Sequence, residues 1–433
     1  MPYAFLAVAA VGVVAVALAY RPIRREPFTI VSFAMAWIAG ELAFQNIVWQ
    51  AAATGLFVAF GALQGWAGWL GLALAIAGWV GLVGLGVAGL RAGDVTAAAL
   101  AEVRSDAFPI PTDPTPPIWG RWWRVTRAIP MKSRAVKTTR NIDYWGDRQR
   151  RHRLDIYRSR LAPPEKAPVM VYVHGGAWVI GDKREQGKPM MFELVARGWV
   201  CVAINYRLSP KGKWPDHIVD VNRALAWVKE HIGEYGGDPA FVAISGGSAG
   251  GHLCALAALT AGDPAFQPGF EEADTSVQAC VPAYGVMDLT SSPEGSAIFG
   301  PGLLDMLEKT VMKVKEADQP QLFRAASPTY RVNAGAPPFF VLQGANDTLV
   351  PVETARTFVE RLRAVSPSPV AYAELPLAQH AFDVLASLRC RATTSAVADF
   401  LEGARAAYAT GHPAAMDVTS MRNLSDIESP PGI

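Results

Sequence analysis

Between Phe241 and His252 the chain reads FVAISGGSAGGH, a short apolar run that ends on a serine set among glycines. Gly246-Gly247-Ser248-Ala249-Gly250 fits G-x-S-x-G, the pattern in which a strand turns sharply into a helix and holds a serine hydroxyl out at the turn. The small residues two before and two after let strand and helix approach each other. A hydroxyl presented in this way attacks an acyl carbon once a neighbouring base takes its proton. Other glycine loops fit less well. A dinucleotide loop wants glycine where Ser248 stands, and a P-loop needs a lysine after its last glycine, which this segment lacks.

A second glycine pair, in His174-Gly175-Gly176-Ala177-Trp178, closes the apolar run VMVYV upstream. Its unhindered amides predict an oxyanion hole built from Gly175 and Gly176, completed by the Ala249 N–H at the start of the helix after the serine. Trp178, on the same loop, is the expected substrate-binding residue. For the base, chain order decides: the nucleophile is followed by Asp or Glu and then by His. Of seven histidines only His380 and His412 lie well beyond Ser248, and His412 falls in a polar C-terminal stretch, so His380 in PLAQHAF is the expected base. Asp347, in GANDTLVP after the apolar PPFFVL, is the expected acid, and Asp288, after CVPAYGVM, is the alternative. The hydroxyl is activated by the histidine, so the pattern implies neither a metal nor an organic cofactor.

These residues need a frame. From about residue 140, short apolar runs at 169–173, 200–205, 241–245, 277–284 and 338–343 alternate with helical patterns such as DHIVDVNRALAWVKEHI and VETARTFVERLRAV. Strand alternating with helix predicts an α/β architecture, a mainly parallel sheet with helices on both faces. The four cysteines, Cys201, Cys254, Cys280 and Cys390, form no C-x-x-C pair and sit in apolar sequence, which predicts core thiols.

Taken in order, HGGAW, YRLSP, GGDP, SGGSAGG, GANDTLVP and HAF resemble the hormone-sensitive-lipase-type branch of the α/β-hydrolase esterases, over roughly residues 155–407. The layout with an apolar N-terminal region also resembles membrane-anchored actinobacterial esterases of the Lip group. The resemblance implies an α/β-hydrolase fold, ester hydrolysis and the triad Ser248, Asp347 and His380. Two positions depart from the branch. Ala177 stands where many relatives carry a third glycine, and Gly247 where many carry an acid. The first bears on tolerance of tertiary-alcohol esters; the second leaves the triad intact.

The N-terminal region has a different character. In residues 1–90 the only charged side chains are Arg21, Arg24, Arg25, Glu26 and Glu41. Residues 2–20 and 66–90 are each near the ~20 apolar residues that cross a bilayer as helix. Residues 28–61 read either as one long tilted helix or as an interfacial piece followed by a span, so the expectation is three spans over 1–92. The residues ALA at 17–19 resemble a signal-peptide cleavage site, but the basic residues follow the apolar stretch instead of preceding it. With three spans, the positive-inside rule puts the Arg21–Arg25 loop and everything after the last span on the cytoplasmic side. Glu41 reads as an interfacial or interhelical polar contact, with a role inside the membrane as the alternative.

Residues 93–139 are expected to be a linker, with five prolines in 108–117, followed by a stretch in which Trp119, Trp122 and Trp123 lie among lysines and arginines, a composition suited to an anionic membrane surface. Residues 140–409 would form the α/β-hydrolase domain, with a cap around 290–331 whose Leu303, Leu304, Met306 and Leu307 either contact an acyl chain or pack as an ordinary helix face. The polar 410–433 reads as a disordered tail. With 433 residues, 51% of them hydrophobic, and a formal charge of +2, nothing points to nucleic acid. The expected partners are an ester, with a lipid ester among the candidates, and the membrane itself; no protein partner is inferable. The expected function is a membrane-anchored carboxylesterase or lipase. An acyltransferase or amidase with the same residues, or a non-catalytic binding module on a hydrolase fold, are the alternatives.

Overall fold

The structure, a computed structural model, describes residues 1–111, 133, 135–161, 166–290 and 301–411, without the side chains of 301–303. The expected Pro-rich and Trp-rich segment lies mostly outside them, as does the expected tail after Gly411.

Eight strands make one sheet: β1 (Val136–Asp143), β2 (Arg153–Ser159), β3 (Ala167–Val173), β4 (Val200–Ile204), β5 (Gly237–Gly247), β6 (Ala279–Ala283), β7 (Phe339–Gly344) and β8 (Val370–Leu375). Their order is β1-β2-β4-β3-β5-β6-β7-β8. β1, β2 and β4 pair antiparallel and every other pair is parallel, so the expected mainly parallel sheet carries an antiparallel edge. That edge is polar: β1 reads VKTTRNID, charged at the rim where a bare apolar strand would invite pairing with another chain. The central strands read as unbroken apolar runs because both of their faces are covered. In β3, Val169, Val171 and Val173 enter one core while Met170 and Tyr172 enter the other.

The helices sort by face. In the N-terminal region lie α1 (Pro2–Tyr20), α2 (Thr29–Glu41), α3 (Ala43–Ala59) and α4 (Trp66–Val103); the sheet domain adds α5 (Lys188–Ala196), α6 (Asp216–His231), α7 (Ala249–Leu259), α8 (Pro301–Met306), α9 (Pro320–Ala326), α10 (Val352–Val365) and α11 (Leu388–Ala409). Helices α6, α7 and α10 fill one face of the sheet, and α5 and α11 fill the other. All four cysteines are free and buried, as their apolar surroundings predict.

Helix α4 does not stop at the expected boundary after residue 92. It runs 38 residues, about 57 Å at 1.5 Å per residue, and its last third brings Ala92, Ala99 and Leu100 into the core shared with α5 and α11. Gly89 and Gly93 bring its backbone against α11, where an added Cβ would touch Leu388 and Ala392 at 3.9 Å. Its first two thirds bundle with α1 and α3. Tyr3 meets Trp66 and the Tyr20 hydroxyl donates to the Gly81 carbonyl, so α1 and α4 run parallel. Phe57 stacks on Phe5, and Phe44 covers Gly86, so α3 runs the other way. By length and composition, α1 and α4 are long enough to cross a membrane; α2 and α3 add a third crossing only if taken together, and they meet at 93°.

Candidate active site

Ser248 stands where β5 gives way to α7, with φ +57° and ψ −123°, a conformation that an L-residue adopts only when its surroundings enforce it. The enforcement is visible on both sides. A Cβ on Gly246 would lie 2.5 Å from the Gly250 carbonyl oxygen, and one on Gly250 would lie 2.1 Å from that of Val173. The backbone of this turn therefore excludes any side chain at either place. The Ser248 amide donates to the Ala283 carbonyl at 3.0 Å, and its own carbonyl accepts from His252 N–H at 2.9 Å. The residue is left half-buried at the carboxyl edge of the sheet.

Asp347 follows β7 and is almost fully buried. Its Oδ1 accepts from the amides of Leu349 (2.9 Å) and Val350 (2.8 Å), and its Oδ2 from Gln343 Nε2 (3.0 Å). The same Oδ2 lies 2.7 Å from Nδ1 of His380, which follows β8. A carboxylate with this many donors is held in one orientation, and the imidazole is held with it, leaving Nε2 as the acceptor. Gln379 ties the two loops together: its Oε1 accepts from the His380 amide (3.1 Å) and from the Thr348 amide (3.0 Å). Of the two acids, then, Asp347 and not Asp288 meets the histidine. The Asp288 carboxylate is occupied by the amide and hydroxyl of Thr290, at 2.8 and 2.7 Å.

Tyr284 joins the serine side to the histidine side. Its ring lies edge-on to His380 at 4.7 Å, and its hydroxyl lies where a Cβ on Gly247 would fall, at 2.4 Å. The hydroxyl donates to Asp383. Burial lifts the Tyr284 phenol well above its usual range, so it stays protonated. The glycine at 247, where the resembling branch carries an acid, thus leaves the room that this tyrosine fills.

The loop opposite Ser248 carries the three residues of the HGG sequence. The Gly175 amide is engaged within the protein, donating to Gln186 Oε1 at 2.8 Å. The Gly176 amide has no acceptor among the described residues, and its φ of +123° suits only glycine. The Ala249 amide belongs to the first turn of α7, where N–H groups lack intrahelical partners. Of the three expected donors, Gly176 and Ala249 have amides without a protein acceptor among the described residues. His174 shapes the loop from beneath: it stacks on Tyr206 at 4.5 Å, and its Nδ1 lies 2.8 Å from the Gly175 carbonyl. Burial pushes its pKa down to about 4, so it is neutral and Nδ1–H is the donor. Trp178 is 3% exposed and sits in the main core, its ring edge against His252 at 5.1 Å; it supports the loop from inside and does not line an open face. In the expected cap, Leu307 is buried in the same core and Leu304 and Met306 pack against it, which is the helix-packing alternative; Leu303 lies outside the described side chains.

Sequence reasoning missed Gln186, Gln379 and Tyr284, whose types carry no motif, Phe33 and Trp37 of α2, which approach His380 and the segment after it from more than three hundred residues away, and the partners of Glu41. Among the described residues no cluster of His, Cys, Asp or Glu is suited to hold a metal.

Residues 154–362 match the BD-FAE family. Over 269 residues the chain is 55% identical to the probable carboxylic ester hydrolase LipM of Mycobacterium tuberculosis, covering 62% of this chain and 61% of that protein. It is 52% identical to the esterase LipQ of the same organism, covering 62% and 63%. The matched stretch thus spans under two thirds of each relative's length. A truncated carbohydrate esterase from gut microbiota shares the fold, with TM-score 0.55 at 22% identity over 64% of this chain and 99% of that one. Residues 154–362 therefore resemble the BD-FAE family, and the sheet domain has the α/β-hydrolase fold.

Proposed function

We propose that the protein hydrolyses carboxylic esters, with Ser248 as nucleophile, His380 as general base and acid, and Asp347 as its orienting carboxylate. The observation that carries this reading is the buried 2.7 Å contact between Asp347 and His380 on the loops beside a serine held at a strained turn. Ser248 Oγ attacks the ester carbonyl carbon while His380 Nε2 takes the hydroxyl proton. The oxyanion that forms is met by the N–H groups of Gly176 and Ala249, each such donor being worth roughly 10²-fold in rate. Collapse breaks the bond to the alcohol oxygen, which leaves with the proton from His380. A water molecule then gives its proton to His380, attacks the acyl-enzyme, and frees the acid and Ser248. Asp347 stays ionised and stabilises the imidazolium in both halves.

The names of the mycobacterial relatives support an ester as substrate, and the apolar N-terminal helices favour an ester of a lipid. In this reading α1, α4 and the bent pair α2–α3 cross the membrane, and Arg21, Arg24 and Arg25 mark the cytoplasmic side, where the hydrolase domain also lies. A fluorophosphonate probe tests the chemistry, because it reacts with activated serines. It should label the wild type and fail to label Ser248→Ala; equal labelling of both would remove Ser248 as the nucleophile.

A further inference from the structure

Residues 376–381, which carry His380, are gripped from the N-terminal helices at several points. Glu41, the last residue of α2, is 4% exposed and forms an ion pair with Arg389, itself 1% exposed. The same carboxylate accepts from Ser387 Oγ at 2.7 Å. The other terminal nitrogen of Arg389 donates to the Pro376 carbonyl at 3.2 Å. Next along, Leu377 packs into the apolar cluster of Val16, Ala19, Ala36, Ala39, Leu82 and Leu85. One turn before Glu41 on α2, Trp37 donates its Nε1–H to the Ala381 carbonyl at 3.0 Å. One turn earlier again, Phe33 sets its ring edge-on to His380 at 6.3 Å. Residues 33, 37 and 41 share one helix face by their four-residue spacing, and that face meets the histidine segment. The acid is tied to the same region, since Asn346 donates to the carbonyls of Ala19 and Tyr20 at 2.8 and 3.3 Å.

A buried ion pair is a poor device for stability alone, because desolvation of the two charges offsets most of their attraction and well-packed apolar residues do as well or better. This pair does something that an apolar pair cannot: it aims a guanidinium at the carbonyl four residues before His380. We infer that Glu41 is a positioning residue. Through Arg389 it fixes the segment that carries His380, which makes the N-terminal helices a working part of the active site and not only an anchor. The inference rests on the triad proposed above.

The test uses the full chain in lipid nanodiscs and a short, water-soluble ester. Glu41→Leu should lose both stability and turnover, since it leaves the Arg389 charge buried and unpaired. The double variant Glu41→Leu/Arg389→Met removes both charges, so its thermal midpoint should return close to that of the wild type, while the Pro376 carbonyl still lacks its donor. Its kcat should stay roughly tenfold to a hundredfold low, the scale of a displacement of about 1 Å in a reacting group, with KM changed by less than about threefold. Trp37→Phe deletes one N–H on the other side of His380 and should lower kcat about threefold with an unaltered midpoint. If kcat of the double variant recovers along with its midpoint, the pair is structural only and the inference fails. If the double variant does not fold, Trp37→Phe decides, and wild-type turnover there defeats the inference. Failure of the fluorophosphonate to label wild-type Ser248 would instead remove the triad reading itself, so the two failures are distinguishable.

Discussion

The serine and histidine sides of the site are held by opposite means. Ser248 is positioned by backbone: carbonyls of Val173 and Gly250 stand where side chains on Gly250 and Gly246 would fall, and a strand and a helix contiguous with the serine do the rest. His380 is positioned by side chains, from Asp347, Gln379 and Tyr284 in its own domain and from Trp37, Glu41 and Phe33 in another region of the chain. A site built by backbone tolerates few substitutions and shows itself as a motif. A site built by side chains spreads its dependence over many residues and shows little locally.

The largest effect should come from breaking the centre of the histidine side. Asp347→Asn keeps shape but permits the wrong imidazole tautomer, so kcat should fall by roughly 10³- to 10⁴-fold. Asp288→Asn, a change to a carboxylate that accepts from Thr290 and Ser327 and does not reach His380, should stay within about threefold. Steady-state kinetics on proteins with matched melting curves checks both. A crippled Asp288→Asn beside an active Asp347→Asn would reverse the assignment.

The serine side should break by unfolding instead of by chemistry. Gly250→Ala places a methyl 2.1 Å from the Val173 carbonyl, a clash that moves the strand or the helix and costs about 3 kcal/mol. The thermal midpoint should drop by about 6–12 °C, and fluorophosphonate labelling should fall with it. Gly233→Ala makes the contrast, because nothing lies within 4 Å of its added Cβ, and its midpoint should move by no more than a degree or two.

This contrast also separates what the sequence discloses from what it does not. The Ser248 elbow, the order of Asp347 and His380, and the doubly covered strands are all legible, because each leaves a mark within a few neighbouring residues. The bond from the Gly175 amide to Gln186 is not legible, because a loop glutamine is of a type that signals nothing. The burial of Trp178 is hidden for a similar reason: its position on the loop is visible, but its backbone conformation at φ +59° is not. Strand β1 lacks an apolar run because it lies at the sheet edge, and β2 because it carries the buried Asp155 that pairs with Arg184. The end of α4 passes unseen through residue 92, since AGDVTAAALAEV is good helix sequence and the apolar run, not the helix, is what ends there. Glu41 is conspicuous as the one acid in an apolar stretch, yet its partner lies 348 residues on.

Acid should act on the serine side more gradually. His174, His217 and His252 are buried, and burial pushes each pKa down to about 4 from 6.5. Between those values the unfolded chain binds protons that the folded chain refuses, so folding stability is full above pH 6.5 and is lost as pH falls towards 4. Each accounts for a loss of about 3 kcal/mol by pH 4. His252 donates Nε2–H to the Ala326 carbonyl at 2.7 Å, a bond that a glutamine amide can replace. Thermal midpoints followed from pH 7 to pH 4 should therefore fall less steeply in His252→Gln than in the wild type. Equal slopes would mean that His252 is protonated in the folded protein.

The smallest effect is expected at Gln186, and its sign carries the information. If the Gly175 amide is scaffolding, its bond to Gln186 Oε1 keeps the loop in the shape that points the Gly176 N–H at the oxyanion. Gln186→Ala then loosens the loop, and kcat falls about threefold to tenfold, the worth of one neutral hydrogen bond. If instead Gly175 is an oxyanion donor, as its place in the HGG sequence predicts, removal of the glutamine frees it. The oxyanion then gains a third N–H, and kcat rises. The direct measurement is pre-steady-state acylation with a chromogenic short-chain ester, because the oxyanion forms in that step. Slower acylation supports a hole made by Gly176 and Ala249, and faster acylation returns Gly175 to it.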